Sequence, residues 1–222
     1  MEVLQITAKT ATAFLLPKHY SGRVPSISWA FGRYDKGELL AVCTFGKPAS
    51  PSLCVGVCGE KRAGNVYELN RLCRVENLNA PLSQFVAECL RRLKAKNLII
   101  VSYSDTAMLH HGYIYQACNF IYTGATKRRT DMYTPTGKHS RHYKHAEQTG
   151  LRKVRSAKHR YIYFCARNRY QKKIRLEALK YHIEPYPKGE NQNYILGEYI
   201  KDVLVLDVKV KPDLVTTPFA NE

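Results

Sequence analysis

Several features that mark other classes of protein are missing from this sequence. No run approaches the roughly 20 apolar residues of a membrane-spanning helix. The opening residues MEVL carry neither the basic start nor the cleavage site of a secretion signal. The cysteines number seven, which is odd, and show no paired CxxC spacing, so we expect reduced thiols packed in the interior. These absences predict a cytosolic protein without a membrane partner.

Acidic residues are scarce, and the excess of positive charge is local. The chain has 18 Asp and Glu against 35 Lys and Arg, a net charge of +17. Residues 127–188 hold 18 Lys and Arg against 4 Asp and Glu, whereas the other 160 residues hold 17 against 14. A charge field concentrated in one segment favours a polyanionic partner.

Aromatic residues are interleaved with these cations. They are Tyr133, Tyr143, Tyr161, Tyr163, Phe164, Tyr170, Tyr181 and Tyr186. In nucleic-acid binding, cationic side chains contact the phosphates and neighbouring aromatic rings stack on the bases. A basic surface that only contacts solvent does not need the tyrosines. We therefore predict a nucleic acid as partner.

The sequence offers two weak metal patterns and supports neither. His139, His142 and His145 are spaced three apart, but on a helix the outer two diverge, and the stretch is more typical of a phosphate-facing loop. Cys54 and Cys58 have no histidine near them in sequence, so free thiols are the better interpretation. We predict no metal site.

The central part of the chain alternates between strands and helices. Residues 66–75 are typical of a strand. In the next stretch, the apolar residues Leu82, Phe85, Val86, Cys89, Leu90 and Leu93 recur at helical spacing. A buried strand at 98–101, a short helix at 111–119 that ends at Asn119 and a strand at 120–124 follow. The predicted order is strand, helix, strand, helix, strand.

The flanking regions extend this α/β pattern. We expect a helix over 8–16 and a hairpin of strands 27–34 and 38–46 joined at 35–37. We expect a loop over 47–64 and another strand over 158–164. A length of 222 residues with 45% hydrophobic composition suits one domain. Residues 189–222 are expected to hold a last strand at 202–210 and a disordered tail after Pro212.

Three residues stand out as candidates from the pattern alone, each with an alternative. Alternation along residues 67–75 places Arg71 on the apolar face with Tyr67, Leu69 and Cys73, where it either binds a ligand or pairs with Asp105 or Glu88. Asp105 ends a buried strand, where α/β sheets place ligands, or it caps a helix. His19 lies in a glycine-containing loop and faces a pocket or a simple turn.

Two family resemblances bear on this region. The layout and residues 115–120 (YQACNF) resemble the second half of the GNAT acyltransferase fold. Six motifs in shared order resemble the Mom family of bacteriophage DNA-modification proteins over about residues 15–190. They are 19–23 (HYSGR), 68–72 (ELNRL), 102–105 (SYSD), 112–120 (GYIYQACNF), 161–164 (YIYF) and 185–188 (PYPK).

The resemblance implies a fold and an activity. The fold is α/β (α+β): a single GNAT-like catalytic domain over 1–188, with a central mixed sheet flanked by helices and a basic C-terminal extension. The activity converts adenine in double-stranded DNA to N6-carbamoylmethyl adenine, which shields viral DNA from restriction. Such a protein acts in the host cytoplasm. The sequence leaves the oligomeric state open and allows a dimer.

The same resemblance implies residue roles. His19 and Tyr20 stack on or hydrogen-bond to a flipped adenine. Arg71 holds the donor carbonyl or carboxylate, Asp105 takes the N6 proton, and Tyr115 protonates the leaving group. Without the resemblance, Tyr115 would be interpreted as packing.

Two further groups of residues are assigned to binding. The donor-binding set is Asn70, Ser83, Ser102 and Ser104. The nucleic-acid-binding set is Arg23, Arg128, Arg129, Lys138, Arg141, Lys153, Arg155, Lys158 and Arg160.

The donor is constrained by a departure from the GNAT pattern. GNAT enzymes have a glycine-containing loop before the central helix, and its backbone amides hold the coenzyme A pyrophosphate. Here residues 78–83 (LNAPLS) contain no glycine, and Pro81 removes one amide donor. The product that the Mom resemblance implies also contains a second nitrogen, which a glycyl group supplies and an acetyl group does not. We therefore favour glycyl-tRNA as donor, which makes tRNA a second candidate partner. Acetyl-coenzyme A with iron is the rival, although no spacing supports an iron site.

Two other functions remain open at this stage. One is a basic nucleic-acid-binding protein on a GNAT-derived scaffold without chemistry. The other is acyl transfer to RNA or protein.

Overall fold

A computed structural model describes residues 1–19, 21, 24–76, 78, 80–133, 151–190 and 204–206. Its strands are β1 (Glu2–Ile6), β2 (Trp29–Asp35), β3 (Glu38–Gly46), β4 (Val66–Arg74), β5 (Leu98–Asp105), β6 (Ile121–Ala125), β7 (Arg129–Met132), β8 (Leu151–Arg155), β9 (Lys158–Cys165) and β10 (Leu204–Leu206). Its α-helices are α1 (Ala8–Leu15), α2 (Pro51–Cys58), α3 (Glu60–Ala63), α4 (Leu82–Leu93), α5 (Tyr113–Ala117) and α6 (Arg169–Glu177).

Seven strands form the main sheet in the order β1-β2-β3-β4-β5-β9-β6. β4 and β5 are parallel, and the other neighbours are antiparallel. A second sheet joins β10, β8 and β7. The predicted class, an α/β protein with a central mixed sheet flanked by helices, is confirmed, and so is the alternation from β4 to β6.

The helices form two layers. The predicted stripe of α4 is buried against the sheet through Phe85, Val86, Cys89, Leu90 and Leu93. α1, α2 and the chain after α6 cover the opposite face in two further apolar clusters. α1 and α4 each bury one apolar side, as expected for amphipathic helices on a sheet.

Short local signals explain several boundaries. The hairpin between β2 and β3 turns at Lys36 (φ 47°) and Gly37 (φ 85°), and Asn119 adopts the left-handed conformation (φ 58°) expected after α5. The prediction of a loop over 47–64 is wrong because Ser50 caps the amide of Leu53, and Pro51 then starts α2.

Other predictions have mixed outcomes. The predicted helix at 8–16, the hairpin strands and the strand at 158–164 correspond to α1, β2, β3 and β9. β10 lies inside the predicted strand at 202–210, and the predicted disorder after Pro212 falls outside the described residues. Within the part of the chain described, no helix is long and apolar enough to cross a membrane. All seven cysteines are free.

Candidate functional site

The parallel strands β4 and β5 part in the middle of the sheet. They pair from Val66 opposite Ile99 to Leu69 opposite Ser102. Beyond that point β4 continues beside β3 and β5 continues beside β9. The Ser102 hydroxyl donates to the Leu69 carbonyl (3.0 Å) at the last pair. The opening beyond this bond lies at the carboxyl ends of both strands, where α/β sheets bind ligands.

A β-bulge at Asn70 changes the face on which Arg71 lies. Thr44 pairs with Arg71 and Phe45 pairs with Leu69, so Asn70 is the extra residue. Its side-chain amide is fixed by Thr44 (2.7 Å) and the Ser26 carbonyl (2.8 Å). The prediction that Arg71 shares a face with Tyr67 and Leu69 is therefore wrong, because strict alternation does not continue through a bulge. Arg71 instead lies on the face of Glu68.

Five ionisable side chains gather beside the opening on this face, which also carries α1 and α2. This polar cluster consists of His19, Glu68, Arg71, Asp105 and Lys158. The charges of Arg71 and Lys158 act on both His19 and Glu68. Three residues predicted separately from sequence, His19, Arg71 and Asp105, are thus brought to one region.

Asp105 is held by three donors. Lys158 Nζ lies 2.5 Å from Oδ2, and Oδ1 accepts from the Ser156 hydroxyl (2.5 Å) and the Ala107 amide (3.1 Å). Burial alone would raise the Asp105 pKa, but the Lys158 charge and these hydrogen bonds outweigh it, so the pKa lies below its ordinary value. Asp105 also begins a short 3-10 helix, Thr106–Met108, which is the predicted capping alternative.

The carboxylates predicted as ion-pair partners of Arg71 are held by other cations. Lys158 pairs with Asp105, and Arg91 and Arg92 pair with Glu88. Glu68 is the carboxylate whose pKa Arg71 affects.

Glu68 is the member of the cluster that sequence reasoning missed. Its carboxylate makes no hydrogen bond or ion pair among the described residues. Burial raises its pKa above the ordinary value, although Arg71 and Lys158 partly oppose the shift. Burial raises the pKa of Tyr103, and the nearby Glu68 charge raises it further. The available signal was an acidic residue inside a predicted strand, two residues before Asn70.

His19 is neutral in this environment. Burial, followed by the charges of Arg71, His110 and Lys158, lowers its pKa to about 3. Nδ1 accepts a hydrogen bond from the Ser21 amide (3.1 Å), so the neutral ring carries its proton on Nε2. Such a ring presents an uncharged aromatic face.

The remaining predicted donor-side residues lie on the opposite face of the sheet, with α4 and α5. The Tyr115 ring packs against those of Phe120 and Tyr161, with ring centroids 5.3 and 5.4 Å apart, respectively. Ser83 is in the first turn of α4. Ser104 is buried, and its hydroxyl has no hydrogen-bond partner among the residues described. The opening between β4 and β5 is where groups from the two faces can approach each other.

Several cations predicted to bind nucleic acid are bonded within the protein. Lys158 holds Asp105. Arg160 donates to Thr123 (2.9 Å) and stacks on Tyr181 (3.5 Å). Arg129 and Arg155, on the paired strands β7 and β8, flank Asp131 at 3.9 and 3.5 Å. Lys153 lies on β8, and Arg128 directly precedes β7.

Four predicted site residues fall outside the described residues: Tyr20, Arg23, Lys138 and Arg141. The histidines at 139, 142 and 145 do so as well. Within the described ranges, no three His, Cys, Asp or Glu side chains lie together as a metal-ligand set.

The fold and the site define a mixed α/β protein whose central parallel strands open onto a buried polar cluster. The chain belongs to the Mom protein family, which matches residues 1–188. This confirms the resemblance seen in the sequence motifs.

Several solved structures to which the chain is similar are acetyltransferases. An N-acetyltransferase from Staphylococcus aureus Mu50 is 13% identical, with coverage of 74% of this chain and 99% of that one and a TM-score of 0.46. The polyamine N-acetyltransferase of Drosophila melanogaster is 10% identical, with coverage of 73% and 100% and a TM-score of 0.46. A Bacillus subtilis acetyltransferase in complex with CoA is 15% identical, with coverage of 61% and 76% and a TM-score of 0.36. No curated protein matches the chain.

Proposed function

We propose that this protein is a transferase that converts adenine in double-stranded DNA to N6-carbamoylmethyl adenine and so protects phage DNA from host restriction. The observation that carries the proposal is membership of the Mom family over residues 1–188, a range that includes the whole polar cluster. The cluster supplies groups suited to proton transfer and to binding a carbonyl oxygen beside an opening in the sheet.

The acceptor side of the reaction belongs to the face with His19. An adenine in a duplex must leave the base stack before a side chain reaches N6. The neutral His19 ring suits stacking or hydrogen bonding to the flipped base, with Tyr20 beside it in sequence. Cations of β7, β8 and the segment that joins them would hold the DNA phosphates.

The proton on N6 needs an acceptor, and the cluster contains two carboxylates. Asp105 was predicted for this role, but its lowered pKa and three hydrogen-bond donors make it a weak base. Glu68 has a raised pKa, and its carboxylate has no hydrogen bond among the described residues. A general base works best when its pKa approaches the operating pH. We therefore assign proton abstraction to Glu68. The role of Asp105 is to hold the Lys158 side chain in place.

The product constrains the donor. Its N6 carries CH2-CO-NH2, whereas acetyl transfer alone would leave N6 bonded to a carbonyl. A glycyl ester supplies the missing nitrogen: N6 attacks the ester carbonyl, the RNA 3′ oxygen leaves with a proton, and N6-CO-CH2-NH2 forms. The free amine then attacks C6 of the ring, and the C6–N6 bond breaks. The result is ring-NH-CH2-CO-NH2, an isomer of the first product, with no oxidant or reductant.

Side chains near the opening can serve these steps. Arg71 would bind the ester carbonyl oxygen as charge develops on it. Tyr115, from the opposite face, would give a proton to the departing oxygen. Ser83, Ser102 and Ser104 lie on that same face and remain the candidates for donor contacts, whereas the Asn70 amide is already bonded to Thr44 and Ser26.

An acyl-coenzyme A is the alternative donor. Pro81 is the N-cap residue of α4, and no side chain caps the start of this helix. Two carbonyls of the turn before α4, Leu78 and Pro81, accept from Arg74 and Arg33 (both 3.0 Å). The glycine-free turn favours a donor other than coenzyme A, and tRNA fits the basic character of the chain.

Reconstitution with labelled donors distinguishes these routes. Purified protein is mixed with duplex DNA, tRNA, a glycyl-tRNA synthetase and glycine labelled with heavy carbon and nitrogen. A second reaction contains labelled acetyl-coenzyme A with ferrous iron. The glycyl route predicts that both labels enter adenine in the first reaction. Label from acetyl-coenzyme A alone would overturn the glycyl route while leaving DNA modification intact.

A variant separates an enzyme from a binding protein without chemistry. Arg71→Ala removes a group of the cluster and leaves β7 and β8 unchanged. If the protein is an enzyme, the Arg71→Ala variant no longer protects plasmid DNA from restriction, while its affinity for DNA barely changes. Protection that persists in this variant would show that binding alone shields the DNA.

A further inference from the structure

A second basic surface lies at the end of the sheet opposite the polar cluster. β5 starts there at Leu98 and reaches Asp105 seven residues later, which at about 3.3 Å per residue places the two ends roughly 23 Å apart. The 3-10 helix Lys94–Lys96, which follows α4, meets the start of α6 at this end. Arg167 Nε donates to the Ala95 carbonyl (2.9 Å) and fixes the two segments together.

Exposed cations from both segments form this far-end patch. Its members are Arg91, Arg92, Lys94, Lys96, Arg167, Arg169, Lys172 and Lys173, all of them exposed. Its carboxylates are Glu88, bonded to Arg91 and Arg92, and Glu177, 4.0 Å from Lys173. Lys94, Lys96, Arg169 and Lys172 make no ion pair with any described residue. The patch therefore has a strong excess of unneutralised positive charge.

An exposed aromatic side chain lies among these cations. Tyr170 is 68% exposed and follows Arg169 in the first turn of α6. A tyrosine beside cations suits stacking on a base or ribose of a nucleic acid.

The cations near the polar cluster are engaged differently. Lys158, Arg155 and Arg160 are bonded to Asp105, Asp131 and Thr123, respectively. A polyanion gains most from cations that are not already neutralised, because it then releases its own counterions without breaking ion pairs. Among these described cations, those of the far-end patch are thus the more available to phosphates.

We propose that the far-end patch binds the double-helical arm of an aminoacylated RNA whose 3′ end enters the opening between β4 and β5. The inference rests on the proposed function, in which the donor is a glycyl-RNA. α4 joins the two places: its first turn lies near the opening and its last turn carries Arg91 and Arg92, about 15 Å away at 1.5 Å per residue. A single-stranded 3′ end of several nucleotides can cover that distance.

Two substrates with phosphate backbones require two surfaces. The modified DNA must lie across the opening so that the flipped adenine reaches Glu68. β7 and β8 are close to that end, since Ser156 follows β8 directly and bonds Asp105. The donor enters from the face of α4 and α5, and Arg91 and Arg92 in the last turn of α4 connect the far-end patch with this face.

Charge reversal tests the assignment. The patch variant is Lys96→Glu, Arg169→Glu and Lys172→Glu. The control variant is Lys9→Glu, Lys36→Glu and Lys61→Glu, which are also exposed and change the net charge equally. The probes are fluorescent uncharged tRNA and a fluorescent DNA duplex, titrated at several salt concentrations with no turnover. A second patch variant with glutamines at the same three positions guards against misfolding caused by the new acids.

The proposal predicts different effects on the two nucleic acids. In the patch variant, tRNA binding weakens about tenfold or more, and the slope of log K against log salt flattens by about two. DNA binding changes less than about twofold, and the control variant binds tRNA nearly as the parent does. In the modification assay, the patch variant needs more glycyl-tRNA for half-maximal rate while the maximal rate is kept.

Other outcomes overturn the assignment. Equal loss of tRNA binding in patch and control variants would show a general charge effect. A greater loss of DNA binding than of tRNA binding would assign the surface to the DNA. Because binding is measured without turnover, failure of the proposed chemistry would appear separately, as an unmodified adenine in the parent protein.

Discussion

Lys158 Nζ lies 2.5 Å from Asp105 Oδ2, and the two residues are directly paired across β9 and β5. This ion pair keeps Asp105 ionised and closes the end of the β5–β9 ladder beside the opening. It also gives the two carboxylates of the polar cluster opposite properties: the pKa of Asp105 is lowered, whereas burial raises the pKa of Glu68. Two acids with divergent pKa values in one site can take different roles in a reaction.

Removal of the Lys158 charge should destabilise the protein. Lys158→Met leaves a nearly buried Asp105 carboxylate without its cation, and we expect a loss of about 1–3 kcal/mol in the free energy of unfolding at pH 7. Asp105 has a lowered pKa when folded, so its contribution is present above its unfolded pKa of about 4 and is lost as the pH falls below that value. Urea titrations at several pH values should show the parent and the variant converging in acid. A constant difference down to pH 3 would contradict the ion-pair account.

Glu68 and Asp105 should differ in their effect on catalysis. Glu68→Gln keeps the size of the side chain but cannot accept a proton, and we expect kcat/KM for DNA modification to fall by about 10²- to 10³-fold. Asp105→Asn should reduce stability more than rate. Both variants should bind duplex DNA nearly as the parent does. An active Glu68→Gln and an inactive, folded Asp105→Asn would return the base to Asp105, as predicted from sequence.

His19 should make stability depend on pH between neutrality and mild acid. Its pKa of about 3 in the folded protein lies below the ordinary value of 6.5, so below that value the unfolded chain binds a proton that the folded protein does not. Stability therefore falls as the pH drops, by about 1–2 kcal/mol at pH 5 from this group. His19→Asn keeps an acceptor for the Ser21 amide and should remove that part of the slope. The same slope in both proteins would show that His19 titrates normally.

Gly112 should resist substitution for two separable reasons. Its φ is 76°, and an added Cβ would lie 2.5 Å from the Tyr161 ring. We expect Gly112→Ala to cost about 2–4 kcal/mol, through backbone strain and overpacking together. Gly37→Ala is the matched control, because its φ is 85° and nothing lies within 4 Å of an added Cβ; it should cost only about 1 kcal/mol. Equal losses in urea unfolding would mean that Tyr161 moves freely aside.

Local patterns were sufficient for the elements whose signals lie within a few residues. The apolar spacing of α4 and the turn at Lys36 and Gly37 are examples, since burial of one stripe and a positive φ each leave a mark in adjacent residues. α2 left a signal as well, in the pair Ser50 and Pro51, but its small and apolar residues resemble a loop. The second sheet of β7, β8 and β10 joins short strands distant in sequence, and no local pattern specifies it.

The site was predicted only in part, for a related reason. His19, Arg71 and Asp105 were identified from sequence. The face on which Arg71 lies, however, depends on the bulge at Asn70. At this bulge the consecutive residues Thr44 and Phe45 pair with Arg71 and Leu69 and leave Asn70 unpaired. The position of β9 between β5 and β6 brings Lys158 to Asp105. That contact depends on tertiary pairing, so Lys158 was predicted to face DNA phosphates. Glu68 went unassigned because its environment arises from the same parting of the strands.

The central claim is that this protein changes adenine in DNA, and nucleoside analysis tests it most directly. Plasmid DNA is isolated from cells that express the parent protein or the Arg71→Ala variant, digested to nucleosides and examined by mass spectrometry. We expect a deoxyadenosine species in which one N6 hydrogen is replaced by a carbamoylmethyl group, present with the parent protein and absent with the variant. Unaltered deoxyadenosine from cells that contain folded parent protein able to bind DNA would contradict the account.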